Sequence, residues 1–335
     1  MWELDNQTPF EAERTWVRDK DGFHHWIIVV KATYDISEDG ELSLSDEQLE
    51  PFHVPQYIGA DGESSLRYDA DLVGMKPRTD VYLNGIAYVP NNKPTSMVTV
   101  SFQIDQLQKE LLVYGNKIWE LSMFGTVKLS SPQPFLTMPI TYERAYGGFD
   151  QKDPDQKNHQ IDFRNPVGSG VVLNQNHLIG KLAPNIEDPA QTMGKGWPAG
   201  FGAIASYWSP RKEFGGTYDD KWAAQRQPLL PEDYNPKCLL CAPLDQQVEY
   251  LKGGNRVELR NLTQGGVLRF TLPTHSYQFE TYFGSTCKRH DSELVSVIID
   301  SAEPRLIMVW QTSLPVGSDG EYLDSTVIKQ KEQNQ

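Results

Sequence analysis

Between residues 130 and 251 the chain carries almost no periodic apolar run, while Pro, Gly, Trp and Asn recur every few positions. Pro132-Gln133-Pro134-Phe135, Gly147-Gly148-Phe149-Asp150 and Asn165-Pro166-Val167-Gly168-Ser169-Gly170 set this texture. Gly200-Phe201-Gly202 and Phe214-Gly215-Gly216-Thr217-Tyr218 continue it. A structureless loop of such length does not belong in a compact protein. The many rings argue against disorder as well. The segment is therefore expected to form ordered, irregular loops pinned by buried aromatic side chains, with one short helix near 220–225.

On either side of it the pattern is that of strands. Residues 26–34 and 79–89 are β-rich, and residues 97–104 alternate apolar and polar as a half-buried strand does. A hairpin partner is predicted at 110–114 and a further strand from 117. Strands return at 267–272, 276–283, 294–299 and 304–311. The expected fold is mainly β: a sandwich-like scaffold built from N- and C-terminal strands, around a long ordered loop-rich middle. The domain reading is one unit over 1–315 (strand-rich 1–129, loop-rich 130–251, strand-rich 252–315). A polar C-terminal tail over 316–335 follows, and the part after Glu321 is expected to fray.

Charge and cysteine content narrow the class. Lys plus Arg number 31 against 45 Asp plus Glu, a formal net charge of −14. That balance disfavours a protein that neutralises nucleic-acid phosphates or lies on an anionic membrane. The chain begins with two acids and no basic segment, no apolar run approaches a membrane span, and the three cysteines cannot complete a disulfide framework. A cytoplasmic protein is expected.

Two kinds of chemistry are worth weighing. Cys238 and Cys241, with Cys287 and His290, could supply four ligands to a tetrahedral zinc; the plainer reading is cysteines filling gaps in a reduced protein. Glu143, Glu187, Asp219 and Asp220 lie in the same loops as Trp197, Trp208, Tyr218 and Trp222. Paired carboxylates among rings are the ingredients of a sugar-cleaving or glycan-binding site, although such acids also bind Arg or cap loops. No phosphate-binding loop, metalloprotease helix or nucleophile elbow occurs. No cofactor is expected. Trp, Tyr and Arg on loops held by a rigid β scaffold instead suit a protein interface.

The ordered motifs of the middle segment are specific. Met138-Pro139-Ile140-Thr141-Tyr142-Glu143-Arg144-Ala145-Tyr146-Gly147-Gly148 resembles a signature of a bacterial family first catalogued as a domain of unknown function and associated with type VI secretion. Asn165-Pro166-Val167-Gly168, Pro184-Asn185-Ile186-Glu187, Trp208-Ser209-Pro210-Arg211 and Ala242-Pro243-Leu244-Asp245-Gln246-Gln247 keep the order, and Asp71-Leu72-Val73-Gly74-Met75-Lys76-Pro77-Arg78-Thr79-Asp80 resembles its N-terminal element. The likeness runs over about residues 1–315. It implies a non-catalytic chaperone or adaptor, which binds a type VI secretion effector with a PAAR-like domain and helps load it onto the VgrG spike. Recognition of the partner is expected from exposed members of Trp197, Phe201, Trp208, Arg211, Tyr218 and Trp222. Arg144 and Arg211 are expected to tie loops together through Glu143, Asp219 or Asp220.

Overall fold

The computed structural model describes residues 2–191, 198–317, 320 and 322–331. The architecture is mainly β, and its centre is one long sheet. In spatial order its main path is Thr137–Ile140, Thr79–Tyr88, Glu293–Asp300, Arg305–Val316, His24–Ile36 and Glu11–Arg18. Strand Thr79–Tyr88 pairs with Glu293–Asp300 in parallel; the other neighbours on this path are antiparallel. Short strands Gln247–Val248 and Leu42–Leu44 add to it.

Both faces of this sheet are covered at its centre, which is why strands His24–Ile36, Glu293–Asp300 and Arg305–Val316 read as nearly continuous apolar runs rather than as alternation. Along His24–Ile36 the even positions Trp26, Ile28, Val30, Ala32 and Tyr34 enter the principal core. There they meet Val100 and Phe102 of a five-stranded sheet, and Tyr277, Phe279, Leu323 and Ile328 of a four-stranded one. The odd positions Ile27 and Val29 face the other way and pack with Leu66, Tyr68, Tyr82, Cys241 and Ala242. The sandwich thus occupies one side of the sheet and the irregular segments seal the other.

The loop-rich middle is ordered, as its rings foretell. Gly147 and Gly148 have φ of +150° and +93°, and a Cβ on either would lie 2.2–2.3 Å from the carbonyl oxygen of Asn165 or Gly168. Only glycine allows that approach. Asn165 secures it, its Nδ2 donating to the carbonyls of Tyr142 (2.8 Å) and Tyr146 (3.0 Å). The α-helix Asp220–Gln225 falls where the sequence places it, with Asp219 as its N-cap accepting from the Trp222 N–H at 2.8 Å. Among the described residues no helix is long and apolar enough to cross a membrane.

One expectation is overturned. The C-terminal tail does not fray over 323–330: Leu323–Gln330 is a strand, antiparallel to Tyr277–Phe283 and parallel to Glu3–Asn6. Its polar residues concealed it, yet the buried one, Thr326, is partnered inside. Trp26 Nε1 donates to Thr326 Oγ1 at 3.0 Å, and that hydroxyl lies 2.9 Å from Thr281 Oγ1. Truncation after residue 320 should therefore cost at least about 4 kcal/mol, since Leu323 and Ile328 both leave the core. A denaturant midpoint unchanged by that truncation would refute the assignment.

His290 bridges the same sheets, with Nε2 2.8 Å from Thr281 Oγ1 and Nδ1 2.7 Å from Thr312 Oγ1. Burial pushes its pKa down to about 4. The folded state therefore prefers the neutral ring, whereas the unfolded chain takes up a proton near pH 6.5. Stability is complete above pH 6.5 and should fall by roughly 3 kcal/mol as the pH drops from 6.5 to 4. Denaturation curves across that window should show the loss, and His290→Gln should flatten it.

Candidate functional site

The segment linking strand Leu66–Tyr68 to strand Thr79–Tyr88 brings charge into the sealed side of the large sheet. Lys76 Nζ meets Asp80 Oδ2 at 2.8 Å and Ser296 Oγ at 3.1 Å. The Asp80 carboxylate also accepts the N–H groups of Cys241 (2.9 Å) and Ala242 (3.0 Å). Lys31, on an odd position of the central strand, meets Asp71 at 2.8 Å, and its ammonium sits 3.3 Å from the centroid of the Phe52 ring. Arg211 reaches back across the loops to Asp69 at 2.6 Å.

These three cations respond differently to the same environment. Burial lowers the Lys31 pKa, and Asp71 offsets that only in part. At Lys76 and Arg211 burial acts in the same direction, but the carboxylates Asp80 and Asp69 outweigh it and leave both pKa values raised. Lys76 and Arg211 thus remain charged and stay in place. Cys241, fully buried beside Asp80, has its thiol pKa pushed well up by burial and then by that carboxylate. A protonated, enclosed thiol is neither a nucleophile nor a ready metal ligand.

The zinc set accordingly does not assemble. Cys287 is exposed on strand Thr286–His290, His290 is held between Thr281 and Thr312, and Cys238 is only partly buried. Among the described residues no group of three or more His, Cys, Asp or Glu side chains is placed to hold a metal. The four loop carboxylates have separate structural partners or positions. Glu143 accepts from Ser65 N and Oγ, both at 2.6 Å. Glu187 pairs with Lys117 at 2.5 Å, Asp219 caps the helix, and Asp220 occupies its first turn. Arg144 bonds Asn185 Oδ1 at 3.2 Å and Arg211 bonds Asp69, so neither uses the acids expected of it.

The six expected recognition residues divide. Phe201 and Trp208 are fully buried, Phe201 in the principal core against Phe102 and Trp208 against Tyr142. Arg211 is buried too, donating Nε to the Cys238 carbonyl (2.7 Å) and Nη1 to that of Ile204 (2.8 Å). These three are structural: aromatic and guanidinium groups that would suit an interface are equally what an irregular region uses for its own core. Tyr218 is exposed and packs edge-on against the half-buried Trp222, with ring centroids 4.7 Å apart. Trp197 lies outside the described residues.

Two groups of apolar side chains that face solvent lie elsewhere. Hairpin Trp119–Leu121/Val127–Leu129 carries Met123 and Phe124 at its tip, 99% and 92% exposed. The tip is braced by Ser122, whose Oγ accepts the Phe124 and Thr126 N–H groups. Ile118, Leu121, Ile179 and Leu182 are exposed along the same hairpin and the chain bonded to it. A second group, Phe149, Ile161 and Phe163, lies on and beside the two-stranded ribbon of Phe149–Asp150 and Gln160–Ile161. The sequence signal for the first was Ser122-Met123-Phe124-Gly125, two large apolar residues where a turn calls for polar ones.

What the fold and its surface define is a β scaffold with a charged, sealed interior and apolar side chains displayed on loops. Residues 21–311 match the model of a family described as an uncharacterized protein conserved in bacteria (DUF2169), and the chain belongs to that family. No curated protein and no solved structure matches it.

Because Asp69 is left without its cation, Arg211→Ala should cost about 3–5 kcal/mol. Trp208→Ala should cost a similar amount by opening a cavity. Thermal and denaturant unfolding measure both. A normal unfolding midpoint with weakened partner capture would return these residues to the surface.

Proposed function

We propose that the protein is a non-enzymatic chaperone or adaptor that binds a type VI secretion effector with a PAAR-like domain, stabilises it and helps load it onto the VgrG spike. The observation that carries this reading is the pair Met123 and Phe124, held almost wholly in water at a braced hairpin tip. Apolar groups displayed this way are a cost in an isolated protein and a gain once a partner covers them. Burying each is worth about 1.5–3 kcal/mol. The ordered motifs, which resemble those of a family associated with type VI secretion, support the same reading.

An adaptor of this kind needs no nucleotide: its interior charges hold its own loops, and its exposed rings take up the partner. With a net charge of −14, a basic segment of the effector is drawn towards it at low salt. Of the carboxylates a sugar-cleaving site would draw on, Glu143 and Glu187 serve as loop ties and Asp219 as the helix cap, so no observation favours that alternative.

The test is affinity purification of the tagged protein from its own cells at moderate salt, with mass spectrometry of what co-elutes. One large effector is expected, with or without VgrG. The double variant Met123→Ser/Phe124→Ser should lose at least about tenfold of it, since two buried side chains are removed from the contact. A clean protein from cells expressing the secretion genes would sink the reading.

A further inference from the structure

Phe149, Ile161, Phe163 and Tyr207 line an open groove of about 750 Å³ together with Glu63 and Lys212. Phe149 and Ile161 are direct cross-strand partners, 60% and 44% exposed. The Phe163 carbonyl accepts the Ser209 N–H at 2.8 Å, and Tyr207 donates its hydroxyl to the Gly62 carbonyl at 2.8 Å. These bonds hold the Phe163 backbone and the Tyr207 ring in place before anything enters, which lowers the ordering cost of binding.

Its charges are the informative part. Lys212 is exposed and has no carboxylate partner among the described residues; its ammonium lies 5.8 Å from the Phe163 ring centroid. Its neighbour Glu213 is taken up by Ser209 Oγ at 2.5 Å. Glu63, also exposed, has no cationic partner among the described residues. An apolar channel with one free cation and one free carboxylate is complementary to an apolar peptide bearing one acid and one base.

We infer that this groove binds an apolar peptide segment of the partner protein, with an acidic side chain set against Lys212 and a basic one against Glu63. The inference rests on the adaptor reading and adds to it a second contact, apart from the hairpin tip. A second copy of this chain is disfavoured as occupant because two bodies of charge −14 repel.

The probe is a fluorescein-labelled synthetic peptide, a run of Leu, Val and Phe between one Glu and one Lys, followed by anisotropy. Wild-type protein should bind it saturably below about 1 mM. Phe149→Ser/Phe163→Ser, at positions more than half exposed and so tolerant of change, should weaken binding at least about tenfold. Wild type should prefer this peptide to one with Lys at both ends, and Lys212→Glu should reverse the preference about fivefold or more. Absence of saturable binding, or equal binding by the double variant, overturns the groove. So does a concentration-dependent dimer in sedimentation that the double variant abolishes, which would make a second copy the occupant. Effector capture separates the two readings. If wild type and double variant recover the effector alike, the groove is refuted and the adaptor stands. If neither recovers it while the peptide still binds wild type, the adaptor reading fails and the groove remains.

Discussion

Lys31, Lys76 and Arg211 each sit inside the protein against a carboxylate, and all three carboxylates come from residues 69–80. Everything on the outer side of the large sheet depends on this arrangement. Removing ions from water is expensive, and a buried pair repays that only when its geometry and hydrogen bonds are complete. Here they are: Asp80 accepts two further N–H groups, and Gln311 links the Lys76 N–H to the Val73 carbonyl. The pairs stabilise little compared with apolar replacements, but they admit only one seating of the irregular segments. Each element is held by charge to the one it must face.

That explains why the ordered motifs of the middle segment are polar and yet structural. Asn165 clasps the Tyr142–Gly147 turn, Gln246 donates to the Val81 and Phe201 carbonyls, and Lys117 meets Glu187. An irregular region has no ladder to satisfy its backbone, so side chains must do so. The residues free to meet a partner are then those the network does not use. Among the described residues these include apolar groups at the hairpin tip and along the aromatic ribbon, with Lys212 beside the latter.

The strands were legible in the sequence where burial makes a simple pattern. Residues 97–104 alternate because one face meets the core, and the central strand is a continuous apolar run because both faces are covered. Strand Leu323–Gln330 was not legible: its buried threonine is satisfied by Trp26, some 300 positions away. Strand Glu11–Arg18 was missed as well, since its position at the edge of the path leaves it mostly half-buried and mixed in composition. Among the expected recognition residues, Phe201, Trp208 and Arg211 proved to be interior. Composition cannot separate a ring that packs a loop from one that awaits a partner, because both need the same large apolar face.

The sequence by itself determined the mainly β class, the ordered loop-rich middle, the short helix and the family motifs. Each of these follows from local periodicity, backbone preference or residue order. Only the tertiary structure decided which side chains are spent holding the fold and which are left on its surface. Burial and ion pairing are set by neighbours distant along the chain, such as Arg211 and Asp69, and no local pattern encodes them.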